Sequence, residues 1–199
     1  MDGFYTCCEA VRSRNLNILK YVRAEGCRWH VLVCAHAAEN GDLELLKYCR
    51  ENGCNWSSST CSDAAKHGHL EVLKWCRQQG CPWDSFTCSA AAEEGRLEIL
   101  QWLRKNGCSW NDMTLRNAAA IGSIEVLSWA TANGCPWNPN ICADAAASGH
   151  LDVLKWANAN EYHWYLDSCR VLAFEKRHTH IAEWIASLAF QVSTQSPII

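Results

Sequence analysis

Cysteine and histidine are the side chains of this sequence with the most versatile chemistry. The chain has 199 residues, of which 14 are cysteine and 8 are histidine. Cysteines in such numbers could form a disulfide framework, a metal site or a redox pair. A spacing of seven separates Cys54 from Cys61 and Cys81 from Cys88, and this spacing is compatible with paired ligands. One hypothesis is therefore a cysteine-rich metal-binding or redox protein.

A second interpretation follows from positions where cysteine is replaced. Cysteines recur at intervals of 27 residues, but Leu115 interrupts one such series. In another series, Cys76 is followed 27 residues later by Leu103. Leucine can fill a core but cannot bind a metal or form a disulfide. The sequence also has no C-x-x-C motif, and its histidines keep no fixed offset from the cysteines. We therefore predict reduced thiols packed as small hydrophobic residues, with no metal site and no cofactor.

Catalytic motifs are absent from the sequence. It contains no G-x-S-x-G, no glycine-rich phosphate loop and no H-E-x-x-H. His69 and His150 each precede a helical pattern, so we interpret them as turn and capping residues. The cluster at residues 177–180 contains two more histidines and is at most an adventitious metal binder. We predict that the chain is not an enzyme and has no catalytic residue.

A unit of 27 residues positions all of these side chains. Tryptophan returns at that interval six times, at Trp29, Trp56, Trp83, Trp110, Trp137 and Trp164. A strict period of this length is typical of stacked structural repeats. Seven copies can be traced, and we number them 1 to 7 at residues 5–31, 32–58, 59–85, 86–112, 113–139, 140–166 and 167–192.

Each copy reads as two short helices, A and B. In copy 3, Thr60 is predicted to cap helix A, and Gly68 is predicted to end it. Helix B follows at once and is predicted to end at Gly80. Paired alanines recur in helix A, as in Ala118-Ala119, and their small size predicts close packing between successive A helices. A second aromatic series in helix B, at Trp75, Trp102, Trp129 and Trp156, is predicted to lie in the core between copies.

Residues 64–76, with the sequence AAKHGHLEVLKWC, resemble the central part of the ankyrin repeat. The unit is about six residues shorter than an ankyrin repeat, at the place where that family has its β-hairpin finger. The resemblance implies an all-α, ankyrin-like helix-turn-helix solenoid of about seven stacked repeats. We expect a single domain over residues 1–192, in which copy 7 is a degenerate cap, followed by a flexible tail at 193–199.

Composition limits the partners and the location. The net charge of −3 arises from mixed signs, and no cluster of lysine and arginine suggests nucleic acid binding. Apolar runs are too short to cross a bilayer, and the first residues do not resemble a signal peptide. We predict a cytoplasmic protein without a nucleic acid or membrane partner.

The outward positions of helix A change from copy to copy, whereas the inward positions stay the same. The resemblance implies that this face lies on the concave side and binds a partner protein, as a scaffold or as a subunit of a larger assembly. Drift of solvated positions is the alternative explanation. Ala35 and Ser89 are assigned to the same face. The predicted binding residues, with Ala120 and Ile121 at the centre, are His36, Glu39, Asn40, Asp63, Lys66, His67, Glu93, Glu94, Asn117, Ala120, Ile121 and Asp144.

Overall fold

The computed structural model describes the backbone of residues 4–194 and the side chains of residues 7–188. Over this part of the chain, fourteen helices are joined by short turns and no strand occurs. This confirms the predicted all-α repeat fold. The helices are α1 (Phe4–Arg12), α2 (Leu16–Ala24), α3 (Val31–Glu39), α4 (Leu43–Glu51), α5 (Ser58–Lys66), α6 (Leu70–Gln78), α7 (Ser85–Glu93), α8 (Leu97–Lys105), α9 (Asp112–Ala120), α10 (Ile124–Ala132), α11 (Asn140–Ser148), α12 (Leu151–Ala159), α13 (Leu166–Glu175) and α14 (Thr179–Thr194).

The chain divides into two compact units between Trp110 and Asn111. The first unit contains α1 to α8 and the second contains α9 to α14. A single domain over residues 1–192 therefore stays a prediction. Helix α14 continues to Thr194, and residues 195–199 of the predicted tail lie outside the described part of the chain. The sequence of copy 7 also predicts an apolar outer face with Ala189 and Phe190, on which a further domain or partner could dock. The side chains of these two residues lie outside the described part of the chain as well.

Odd-numbered helices are the A helices, and within each unit they pack on one another in sequence order. The stack runs α1, α3, α5, α7 in the first unit and α9, α11, α13 in the second. Each helix B packs on the helix A of its own copy. Ala64 and Ala65 of α5 are fully buried, as are Ala118 and Ala119 of α9. These small side chains allow neighbouring A helices to approach closely, as predicted.

In copy 3, the C-terminal ends of both helices lie where they are predicted, but the predicted N-cap of helix A is wrong. Ser57 occupies the N-cap position of α5, and Thr60 lies inside the helix with a buried hydroxyl. Gly68 follows the C-cap residue of α5 and has a φ of +86°. Left-handed backbone of this kind favours glycine because a Cβ would be strained there. Arg14 has a φ of +53° at the equivalent position of copy 1. Glu161 of copy 6 has a φ of +57° in the turn after helix B, where copy 3 has Gly80.

The helix B tryptophans are half-buried, so their predicted place in the core is wrong. Trp75 instead meets the loop residue Trp56 edge to face, with ring centroids 5.8 Å apart. Such edge contacts suit the quadrupoles of aromatic rings. The long indole reaches the loop of the preceding copy rather than the space between the helices. Cysteine, alanine, leucine and valine side chains fill the core instead.

Arginine side chains cover the loop tryptophans in the first unit. The Arg77 guanidinium carbon lies 3.9 Å from the ring centroid of Trp83, and the guanidinium donates a hydrogen bond to the carbonyl of Cys81. A cation over an indole face is attracted by the ring quadrupole. The same pairing recurs for Trp29, Trp56 and Trp110. In the second unit, Trp137 stacks on Tyr162 with centroids 4.1 Å apart.

No helix within the described part of the chain is both long and apolar enough to span a bilayer.

Candidate functional site

The helix-A face, defined as the twelve predicted binding residues, lies at the surface. His67, Glu93, Glu94 and Ile121 are exposed, and the other eight are half-buried. Ala35 and Ser89 are buried, so their assignment to this face is wrong. Both positions are covered because α3 and α7 each pack on more than one helix, which buries more than one stripe of the helix surface.

His36 and Glu39 form the centre of a hydrogen-bonded group at the end of α3. The Nδ1 atom of His36 lies 3.0 Å from a carboxylate oxygen of Glu39, and its Nε2 lies 3.1 Å from Nη2 of Arg12. Because a guanidinium can only donate, Nε2 must accept and Nδ1 must carry the proton given to Glu39. The hydrogen bond from His36 lowers the pKa of Glu39 against the opposing effect of burial.

Copy 3 contributes two more groups to this region. The Nε2 atom of His67 lies 3.9 Å from the Glu39 carboxylate. Asp63 is half-buried, and burial raises its pKa, with a further contribution from the negative charge of Glu39. The structure therefore brings together four of the predicted residues, His36, Glu39, Asp63 and His67, in the first unit.

Ion pairs link adjacent copies along the same face. The Nζ atom of Lys66 lies 2.6 Å from a carboxylate oxygen of Glu93, and this contact raises the pKa of Lys66. In the second unit, Nε and Nη2 of Arg116 donate to the two carboxylate oxygens of Asp144, at 2.6 and 3.2 Å. Paired oxygens and a guanidinium have matching geometry, so this pair is well oriented. The Asp144 contact also raises the pKa of Arg116.

Arg12 contacts the helix-A face through His36 but is not among the twelve predicted residues. A signal for it exists in the sequence, since one repeat position reads Arg12, Glu39, Lys66 and Glu93 in copies 1 to 4. Alternating charge at one position in adjacent copies predicts attraction between those copies. In the structure, this position supplies the Lys66–Glu93 ion pair and places Arg12 on His36.

Glu94 and Ile121 are exposed at the C-cap positions of α7 and α9. Glu94 lies in the first unit and Ile121 lies in the second, and both side chains face solvent. Ala120, next to Ile121, is half-buried, and so is Asn117 one turn earlier. Asn40 is held in place because its side-chain amide donates to the carbonyl of Val11 at 2.9 Å.

The histidines before helix B hold the predicted cap positions, but their side chains join neighbouring copies instead of capping the helix. His69 and His150 occupy the N-cap positions of α6 and α12 without a side-chain cap bond. Their Nε2 atoms lie 2.9 Å from the carbonyl of Glu39 and 3.0 Å from the carbonyl of Ala120. A carbonyl can only accept, so each Nε2 carries a proton. A Cβ at Gly41 would lie 2.5 Å from the His69 ring, which explains the glycine there.

His178 follows the same rule in copy 7. Its Nε2 atom lies 3.2 Å from the carbonyl of Ala147, and its ring centroid is 6.4 Å from that of His180. The histidine cluster at 177–180 therefore supplies a contact between copies. We retain the prediction that it is not a built metal site.

One cysteine pair contradicts the prediction that all cysteines are reduced thiols. Cys7 and Cys27 form a disulfide within the first unit, and their Cα atoms are 6.5 Å apart. Cys7 lies in α1 and Cys27 follows α2, so the bond joins helix A of copy 1 to the turn after its helix B. The fold brings these two repeat positions together, and the sequence could not show how close the sulfurs approach.

Three more cysteines converge inside copy 3. The sulfurs of Cys61, Cys76 and Cys81 all lie within 4.8 Å of one another, and all three side chains are fully buried. Hydrogen bonds from Cys76 and Cys81 lower the pKa of Cys61, and the same contact with Cys61 raises the pKa values of its two neighbours. Three sulfur donors at this separation could hold a metal ion.

The sequence comparisons agree with the fold. Residues 88–131 match the family model described as ankyrin repeats (many copies). This match, together with the helical repeats of the structure, confirms the resemblance to ankyrin repeats. No curated protein matches the chain. Ankyrin repeats indicate a protein–protein interaction module, and proteins built from them are generally non-catalytic.

Proposed function

We propose that the chain is a non-catalytic interaction module that binds a partner protein through the helix-A face. The observation that supports this most is the division within helix A. Inward positions keep small or apolar side chains in every central copy, whereas outward positions differ in charge and size. Such a surface can be specific for one partner without a change in the stack that supports it.

The exposed residues of the face would make the first contacts. Glu94 and His67 offer polar contacts in the first unit, and Ile121 offers an apolar contact in the second. Lys66 is already paired with Glu93, and Asp144 is already paired with Arg116. A partner would have to replace those ion pairs, so they contribute less net binding energy than groups that face solvent. We therefore place the main contacts at Glu94 and Ile121.

The proposal includes one kind of partner. The partner is a protein, either a separate target or a larger assembly that contains the chain as a subunit. We propose a cytoplasmic location and no binding of nucleic acid or membrane.

A charge reversal tests the contact at Glu94. Glu94→Arg should weaken binding of the partner at least about tenfold, because a rim charge of the wrong sign opposes association. Glu98→Arg is the matched control, since Glu98 is also exposed and lies in the same copy but on helix B. The partner is first captured with the full chain, and its affinity for each purified variant is then measured by calorimetry.

The outcome distinguishes the two faces of the repeat. Equal binding by the Glu94→Arg variant and the unchanged chain would contradict a contact at the helix-A face. Loss of binding in the Glu98→Arg variant alone would move the contact to helix B. Circular dichroism of both variants should show unchanged helix content.

A further inference from the structure

The three thiols of Cys61, Cys76 and Cys81 come from three different parts of copy 3. Cys61 lies in α5, Cys76 lies in α6, and Cys81 lies in the turn after α6. The bond from a thiolate sulfur to a bound metal ion such as zinc is about 2.3 Å long. Three sulfurs around one ion in a plane are then about 4 Å apart, from the geometry of an equilateral triangle at that bond length. The observed limit of 4.8 Å requires only small shifts of the side chains.

We propose that Cys61, Cys76 and Cys81 form a binding site for a soft, thiophilic metal ion, of which Cu(I) fits best. The donor set contains sulfur alone, and soft sulfur ligands favour soft ions such as Cu(I). Among the described residues, no fourth histidine, cysteine, aspartate or glutamate joins the group. Cu(I) accepts three ligands in a plane, so it does not need a fourth.

Zn(II) fits the same residues less well. Structural zinc sites take four protein ligands, and zinc sites with three protein ligands complete the shell with water or substrate. Cys61, Cys76 and Cys81 have no exposed surface through which water could complete such a shell. The number of ligands and the burial therefore both favour a three-coordinate ion.

The surroundings of the cluster suit a bound ion with thiolate ligands. Binding converts the thiols to thiolates and releases their protons to the solvent. Cu(I) and the Arg77 guanidinium, which donates a hydrogen bond to the Cys81 carbonyl, together offset two of the three negative charges of the thiolates. The guanidinium is fixed over Trp83, so this positive charge is already in place.

Neighbouring copies contain natural versions of the cluster with fewer sulfurs. The position of Cys76 is filled by Leu103 in copy 4 and by Ala130 in copy 5, and both side chains are fully buried. Copy 2 has cysteine at all three positions, but among the described residues only the copy 3 set lies within 4.8 Å. Leucine or alanine at position 76 is therefore compatible with the repeat fold.

Copper binding by the full chain tests the site. Cu(I) is supplied under nitrogen as its bicinchoninate complex. After gel filtration, two quantities are measured: the amount of copper that the protein retains and the ultraviolet charge-transfer absorption from sulfur to copper. We expect the Cys76→Ala variant to retain one equivalent less than the unchanged chain. Cys142→Ala is the control, because Cys142 is also a buried thiol but its copy has Ala157 at the Cys76 position. It should retain as much copper as the unchanged chain.

Each other outcome overturns the proposal. Equal retention by the Cys76→Ala variant and the unchanged chain would contradict a site that needs all three sulfurs. Equal losses in the Cys76→Ala and Cys142→Ala variants would show unspecific binding to thiols. If Zn(II) competes successfully with Cu(I) for the same site, the assignment to a three-coordinate soft ion fails. Cys76→Leu repeats the test if the alanine variant does not fold, and none of these results bears on partner binding at the helix-A face.

Discussion

The imidazole of His69 joins two copies through one hydrogen bond to the Glu39 carbonyl. The sequence places a histidine before helix B but cannot show its partner, which lies 30 residues earlier in the chain. The angle between successive copies decides whether the ring turns to its own helix or to the previous one.

Burial of the cysteines could be predicted from repeat positions, whereas the Cys7–Cys27 bond depends on side-chain rotamers that the sequence does not reveal.

Acidification should weaken the fold through His69. Burial lowers its pKa, the bond to Glu39 opposes this, and the positive charges of Arg14 and Arg96 and of a protonated His67 lower it further. The unfolded chain therefore binds more protons below the ordinary histidine pKa of about 6.5, and stability is lost as the pH falls. His69→Gln retains an N–H donor without this titration. The free energy of unfolding, measured in urea, should fall less between pH 7.5 and pH 5.5 in this variant.

His163→Gln is the control for this measurement, since His163 is exposed. It should lose as much stability on acidification as the unchanged chain. An identical pH dependence in the His69→Gln variant and the unchanged chain would mean that His69 does not carry the effect.

Helices and turns follow from the sequence with small errors at their ends. Ser57 and Thr60 are both residue types that cap helices, and the structure selects the earlier one because the Thr60 side chain is buried by packing. The turns after helix B are better specified, since glycine marks them in copies 1 to 5. Glu161 holds the same left-handed conformation in copy 6 without the freedom of glycine.

Glu161→Gly should stabilise the chain by about 0.5–1 kcal/mol. A non-glycine residue in left-handed backbone costs about 1–2 kcal/mol, and the entropy of glycine in the unfolded chain offsets part of the gain. Thermal unfolding followed by circular dichroism checks this. The reverse change one copy earlier, Gly134→Ala, should destabilise by about 1 kcal/mol, because a Cβ there meets no atom within 4 Å and only the backbone is strained. Glu161→Gly should raise the stability and Gly134→Ala should lower it, and changes of the same sign would contradict a backbone cost at these positions.

At the scale of the whole molecule, the repeat stack and its resemblance to ankyrin repeats could both be predicted. Period, small residues in helix A and glycines at the turns all favour the same structure. The division between Trp110 and Asn111 could not be predicted, since the 27-residue pattern continues across it. Only some of the surface ion pairs could be predicted from the sequence, because Arg116 and Asp144 do not share one repeat position.

Ala118→Phe tests the stack itself. Ala118 is fully buried in α9, which packs on α11, and a phenyl ring would force these helices apart. Overpacking of this kind costs about 1–3 kcal/mol. The urea midpoint should fall accordingly. Ala132→Phe adds the same ring at the exposed end of α10 and should change it little, and equal midpoints for the two variants would contradict close packing of the A helices.

The arginine cover of the loop tryptophans has an optical consequence. Trp29, Trp56, Trp83 and Trp110 each lie beneath a guanidinium, whereas Trp137 lies against a phenol ring. A positive charge on an indole face alters the energy of its excited state, and a stacked phenol couples to its transitions instead. The loop tryptophans of the first unit therefore differ optically from Trp137, and near-ultraviolet dichroism should contain a contribution from each kind.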